Sequence, residues 1–264
     1  MGPPEWAPAA VRSTMSEDSP TPPRRTPLDT SVPDFDMPLP QMIAVRIWSV
    51  LLEIITRLGD LLIIVWRPRL VPPYLSLWLR EALASPYRAR RSFDVVRALH
   101  ASGQHFRELI YGETPVHTAV WLFKQAGLDA TSLLVDLGAG RGRVLLAARW
   151  LGARARGVEL LEQHVSLASG LVSRAGAELL LGDATQADLS DATHVFINWT
   201  ALAPETRERL VERLRTCRPG TRVLTVTRPV EGPGFTLLSR HWLLFTWGPE
   251  HVWIHERSAP GDAL

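Results

Sequence analysis

Cysteine, lysine and tyrosine are scarce in this chain of 264 residues, which holds one Cys and three Tyr. The single cysteine, Cys217, excludes an intramolecular disulfide and fits a reducing compartment. Lysine occurs only at Lys124, so nearly all of the 29 basic residues are arginine, a bias that reads as base composition of the genome. A formal net charge of +2 excludes a global field for polyanions, and no specific nucleic-acid partner is expected. No charged, apolar, small-residue succession near the N-terminus resembles a secretory signal, so the expected location is cytoplasmic, with the inner face of a membrane as a variant. No metal site is expected.

The length allows one domain of catalytic size with an N-terminal extension. The first forty residues hold ten of the 21 prolines and almost no apolar periodicity, so 1–40 are expected to stay disordered. Residues 41–110 read as a helical extension. From Met42 to Trp66 the chain is strongly apolar, yet Arg46, Glu53, Arg57 and Asp60 fall within a stripe of roughly 60° on one helix face. For a transmembrane span, apolar gain and charge cost nearly cancel. Three readings stay open: a helix lying in a membrane interface, a helix packed on the catalytic domain or a partner, and a tilted span. Between Arg67 and Arg107 eight arginines stand against Glu81 and Asp94. That excess suits an anionic membrane surface, an acidic partner or a solvated face. Pro72 and Pro73 part the apolar helix from helical patterns over Leu75 to Ala84 and Phe93 to Ile110.

The centre of the chain is the stretch LLVDLGAGRGRVLLAA, Leu133 to Ala148. An apolar run ends at Asp136, a cluster of Gly138, Gly140 and Gly142 follows, and a helical pattern begins at Val144: strand, tight turn, helix. Glycine serves such a turn because a Cβ would block both positive φ and close approach of a ligand. The helix start then offers unpaired N–H groups. Ahead of it, Thr114 is a natural N-cap and Pro115 a natural first residue for a helix closed by Gly127. Downstream, strands at Ala155 to Val158, Glu178 to Leu181, Thr193 to Asn198 and Thr221 to Thr227 alternate with helices at Leu161 to Ala175 and Pro204 to Cys217. Alternation of this kind means a parallel sheet covered on both faces. Two β-rich runs, Phe235 to Thr246 and His251 to Glu256, read as a hairpin joined by Gly248-Pro249-Glu250.

The polar residues at the strand ends point to chemistry. Glu159 lies 19 residues after Gly140, where an acidic residue accepts from ribose hydroxyls, and Asp183 stands where a carboxylate accepts from an adenine amine. Asp136, beside the glycine turn, would repel a diphosphate but accept from an ammonium group. It therefore favours S-adenosyl-L-methionine over a nicotinamide or flavin dinucleotide.

Leu133 through Glu256 resembles the catalytic core of class I S-adenosylmethionine-dependent methyltransferases, with VDLGAGRG, GVE, GDA and FINW as successive motifs. Within that class it is most similar to the non-SET histone-lysine methyltransferases, the disruptor-of-telomeric-silencing family, which also carries Tyr-Gly-Glu-Thr before its glycine motif. The resemblance implies an α/β, Rossmann-like seven-stranded sheet with an antiparallel C-terminal hairpin, spanning 111–258. It implies a cofactor site at Tyr111, Glu113, Thr114, Asp136, Gly138, Ala139, Gly140, Glu159, Asp183, Ala184 and Asn198. Acceptor residues would be Asn198, Trp199, Trp247 and Trp253; Asn198 matches the first Asn of the family's fourth motif, while Trp199 and Thr200 replace the rest. Trp247 matches the hairpin Trp, and Trp253 stands one residue closer than the family's Tyr. The implied reaction is N-methylation of an amine such as a protein lysine. A small-molecule or lipid-soluble acceptor and a non-catalytic scaffold are the alternatives. No histidine is obviously positioned as a base; His117, His194, His251 and His255 remain candidates, each read first as structural.

Overall fold

The computed structural model describes residues 39–84, 113–200 and 202–259. The 1–40 tail up to residue 38, the helix expected over 93–110, and Tyr111 lie outside the described residues. The chain divides into units of 1–42 and 43–264, and the second holds every described strand.

Seven strands form one sheet in the order β3-β2-β1-β4-β5-β7-β6. Five are mutually parallel: β1 (Leu133–Leu137), β2 (Arg154–Glu159), β3 (Glu178–Leu181), β4 (His194–Asn198) and β5 (Arg222–Val226). The chain runs outward from β1 to β3 and then returns to place β4 on β1's other side. That reversal leaves a crevice at the C-terminal ends of β1 and β4, where open α/β sheets take ligands. The final pair, β6 (Phe235–Phe245) and β7 (Gly248–Arg257), is antiparallel, with β7 inserted between β5 and β6. Their turn is Thr246-Trp247, not the expected Gly248-Pro249-Glu250, because Phe245 already pairs with Gly248. Gly248 takes φ +132 and carries the unusual backbone at the strand's start.

Strand residues alternate between two apolar layers. One layer joins Leu134, Phe196, Leu224, Val226, Val252 and Ile254 to helices α1 to α5. These are α1 (Leu39–Ile64), α2 (Val71–Ala84), α3 (Val116–Gln125), α4 (Arg143–Trp150) and α5 (Glu162–Arg174). The other joins Val135, Val195, Ile197, Trp199 and Val223 to α6 (Pro204–Leu214) through Leu210 and Leu214. Pro115 caps α3, one residue later than expected, and Thr114 makes no side-chain cap bond there. Pro72 and Pro73 occupy the first turn of α2, where the missing N–H groups have no helical partner to lose.

Helix α1 is inverted relative to an ordinary surface helix. Leu52, Thr56, Asp60 and Ile64, at four-residue spacing, are buried, and Arg57 is half-buried beside them. The outward face carries Ile47, Trp48, Ile54, Leu58 and Leu62, with Trp66 in the turn that follows, the last two 71% and 78% exposed. Thus Arg57 and Asp60 of the polar seam pack inward on the domain, while Glu53 stays exposed. The outward face of α2 is apolar as well, with Leu75, Trp78, Leu79 and Leu83 exposed. Among the described residues, no helix is long and apolar enough to cross a membrane.

Candidate functional site

The glycine turn is tied to the sheet by its backbone. The amides of Gly138 and Ala139 both donate to the Val158 carbonyl on β2, at 2.9 and 3.0 Å. Gly138 has φ +85, and a Cβ built there would stand in open space, the space a ligand needs. Under the turn, a Cβ on Gly157 of β2 would come within 2.6 Å of the Ala139 Cβ, so only glycine lets the turn lie this close. Gly142 then caps α4.

Two carboxyls flank this turn. Glu159, at the tip of β2, accepts from the Gly140 amide through Oε2 at 2.8 Å and from the Leu161 amide through Oε1 at 2.9 Å. Burial works against its charge, but hydrogen bonding to His164 and these amides outweighs it and lowers its pKa. The carboxylate stays ionised, and Oε2 keeps a lone pair for a hydroxyl donor, while Oε1 is shared between the Leu161 amide and His164. Asp136 behaves oppositely. It is 2% exposed, and burial, aided by the Glu159 charge, raises its pKa well above the carboxylate range. A cation bound beside it would restore its charge.

The crevice is lined by Glu113, Thr114, Asp136, Gly138, Ala139, Gly140 and Asn198 of the expected site, together with Arg143, Val144 and Phe196. At β3's tip, the exposed Asp183 caps a short turn through Oδ1 to the Thr185 amide, and Ala184 opens that turn. Its second oxygen is free of that duty.

Sequence reasoning misses a buried ion network between the extension and the turn. Glu113 Oε2 lies 3.1 Å from Arg57 Nη2 on α1 and 3.0 Å from Arg143 Nε, and Glu113 Oε1 lies 3.4 Å from Arg141 Nη1. Glu81 on α2 pairs with Arg143, with Arg57 at 3.5 Å and with Arg141 at 3.7 Å. Asp60 accepts from the Tyr74 hydroxyl at 3.0 Å, from the His117 amide at 2.9 Å and pairs with the His117 ring at 2.8 Å. A signal does exist: Arg57 and Asp60 share one face of an otherwise apolar helix, and two arginines interrupt the glycine turn.

The acceptor residues are divided between the sheet's two faces. Adjacent strand residues point oppositely, so Asn198 reaches the crevice while Trp199, 4% exposed, is buried in the far layer with Leu210 and Leu214. Trp199 is core, a correction to its place in the acceptor wall. Trp253 pairs with Thr225, while its neighbours Val252 and Ile254 enter the crevice-side layer, so it too faces away. Trp247 packs against the crevice-side layer, stacked on Phe245 at 4.7 Å. The side-chain carbonyl of Asn198 accepts from the Thr200 amide at 3.0 Å and from the Thr200 hydroxyl. Its carboxamide NH2 and its backbone are therefore the groups left for an acceptor. Thr200 also meets Thr227 Oγ1 at 2.8 Å, and Thr227 holds φ +75, a strained conformation at the tip of β5. The histidines serve packing: His194 bonds the Ala126 carbonyl, His255 accepts from the Val230 amide, and His117 is held by Asp60.

The open cradle at Gly138, the buried carboxyl of Asp136 and the two-oxygen acceptor at Glu159 fit S-adenosylmethionine: they match an ammonium and a ribose, and none suits a diphosphate. Sheet order, glycine turn and carboxyl pair define a class I S-adenosylmethionine-dependent methyltransferase. Residues 94–180, from the end of the extension through β3, match the family model of histone methylation protein DOT1. Among solved structures, TrmN from Thermus thermophilus shares the fold at 19% identity, over 57% of this chain and 51% of its own, with a TM-score of 0.50. An RNA methyltransferase from Salinibacter ruber, solved with S-adenosyl-L-homocysteine, is 29% identical over 57% of this chain and 97% of its own, with a TM-score of 0.48. An rRNA methylase from Streptococcus thermophilus is 17% identical over 56% and 98%, with a TM-score of 0.43. No curated protein matches the chain.

Proposed function

We propose that this methyltransferase modifies an amine, a protein lysine foremost, on an acceptor presented at an anionic membrane surface. Asp136 is the observation that carries the donor half: a buried carboxyl beneath an open glycine cradle needs a cationic guest. S-adenosylmethionine supplies an activated sulfonium methyl group, and the remaining tasks fall to the chain. Asp136 holds the ammonium end. Glu159, fixed by the Gly140 and Leu161 amides, accepts the ribose hydroxyls with its remaining lone pairs. Asp183 offers its uncommitted oxygen to the adenine amine. Phe196 and Val144 exclude water from the crevice. Asn198 and Trp247 orient the acceptor so that nucleophile, methyl and sulfur align within about 3 to 3.5 Å.

The DOT1 match supports an amine acceptor by kinship in the donor half, and helix α1 supports the membrane. Its Arg57 and Asp60 are spent inside the protein, while its outward face and that of α2 are both apolar. Monomeric proteins in water seldom expose patches beyond a few hundred Å2. Arg67, Arg69 and Arg80 are exposed at its margin, against the one exposed acid, Glu53, on these two helices as described.

The test is transfer of labelled methyl from S-adenosylmethionine into fractionated membranes. Methylated lysine recovered from membrane protein supports the reading; label confined to lipid or RNA overturns the protein lysine as acceptor. Sedimentation with vesicles tests the surface separately. Binding to phosphatidylserine-containing vesicles, weakened by salt and weaker still on pure phosphatidylcholine, is expected. A monodisperse protein indifferent to both vesicles overturns the membrane half.

A further inference from the structure

We infer that Arg57, on α1 and outside the catalytic sheet, is a positioning residue for the methyl-donor site. The inference deepens the reading of the crevice as an S-adenosylmethionine site and rests on it in part. Arg57 reaches the crevice wall directly. Its Nη2 stands 3.1 Å from Glu113 Oε2, and Glu113 lines the crevice beside Thr114 and Arg143. On its other side the same Glu113 carboxylate meets Arg143 Nε at 3.0 Å and Arg141 Nη1 at 3.4 Å. Both arginines belong to the segment that forms the cradle, one just before and one just after the capping Gly142. Glu113 is thus clamped between the extension and the glycine turn.

The network balances. Arg57, Arg141 and Arg143 stand against Glu81, Glu113 and Asp60, and most of these side chains are buried. Removing Arg57 leaves one carboxylate uncompensated in a water-poor site. Burial and the neighbouring Glu113 charge push the Glu81 pKa up to about 8 against the pull of Arg141 and Arg57, so Glu81 holds its charge less firmly still once Arg57 is gone. The less of that charge remains, the weaker its grip on Arg141 and Arg143. The turn carrying Gly138 and Gly140 then loses an anchor, and the donor meets a mobile cradle instead of a fixed one. Arg57 needs no contact with donor or acceptor for this; it acts through Glu113, Glu81 and the two turn arginines.

The experiment compares full-length wild type, Arg57→Ala, Arg57→Lys and Leu58→Ala. Leu58 is the exposed neighbour on the same helix and controls for disturbance of α1 itself. Amide hydrogen exchange across 138–143 is followed without ligand, and affinity for S-adenosylmethionine and S-adenosylhomocysteine is measured by calorimetry. Arg57→Ala is expected to speed exchange at Gly140 and Gly142 at least fivefold and to weaken donor binding about tenfold. Arg57→Lys, keeping the charge but not the fork, is expected midway, and Leu58→Ala at wild-type values. Wild-type exchange and affinity in folded Arg57→Ala overturn the inference. Should Arg57→Ala fail to fold, a Lys variant indistinguishable from wild type assigns Arg57 to stability alone and overturns it equally. Faster exchange in Arg57→Ala, with no donor bound even by wild type, supports the positioning role and sinks the S-adenosylmethionine reading instead.

Discussion

The donor and acceptor sides of the crevice are built on different principles. Donor groups sit on a turn and strand tips whose geometry the backbone dictates: Glu159 is pinned by two main-chain amides, and the turn by the Val158 carbonyl. The acceptor side as proposed would draw on side chains of β4 and the β6–β7 hairpin, where orientation flips with each residue. A one-residue difference there moves a group from the crevice to the opposite core, as it does between Asn198 and Trp199. Donor recognition is therefore set by backbone geometry, and acceptor recognition by side-chain register along the strands.

Trp199 offers the hardest test of that division. As a fully packed ring between β4 and α6, its replacement by Ala should cost about 3 to 5 kcal/mol of stability in chemical denaturation. Full retention of stability would return Trp199 to the acceptor wall. Next in size, Asp136→Asn should weaken S-adenosylmethionine binding tenfold or more, from the loss of a charge-assisted contact worth about 1.5 to 3 kcal/mol. Unchanged calorimetric affinity would leave the donor side without its ammonium acceptor.

Asp136 also sets opposite pH slopes for folding and binding. Its native pKa is raised, so its contribution to the stability of the donor-free protein is full below the unfolded carboxyl value and is lost as pH rises through the native one. Donor affinity moves the other way, strengthening as the carboxyl ionises. Melting temperature and donor affinity measured against pH should therefore diverge in wild type, and both slopes should flatten in Asp136→Asn. Smallest is Trp247→Ala, on the crevice-side face of the hairpin: turnover should drop severalfold with donor affinity within about twofold. Equal losses in both would erase the distinction between the two sides.

The alternating parallel strands and helices and the glycine turn are legible in the sequence because each rests on short-range pattern. Alternating strands and helices, Gly138 with its positive φ, and the spacing from Gly140 to Glu159 are all local facts. The hairpin turn is misplaced by sequence because Gly248-Pro249 is the stronger turn signal, whereas pairing of Phe245 with Gly248 moves the turn to Thr246-Trp247. Motif matching misassigns Trp199 and Trp253 because it ignores the period-two alternation that strands impose. Least legible is the Arg57, Glu81 and Glu113 network, whose members lie up to 86 residues from Arg143. Periodicity shows a polar seam on α1, but not which way it faces.

The inverted helix α1 also has a consequence for the order of synthesis. Arg57 and Asp60 leave the ribosome long before Arg143, their shared network partner. At ~5–20 residues per second the interval is roughly 4 to 17 s. Through that time the nascent chain presents an apolar helix face together with a polar seam whose network with the glycine turn is not yet made. A chaperone or a lipid surface would have to shelter α1 until the turn is made, so translation speed between codons 60 and 143 bears directly on the yield of folded enzyme.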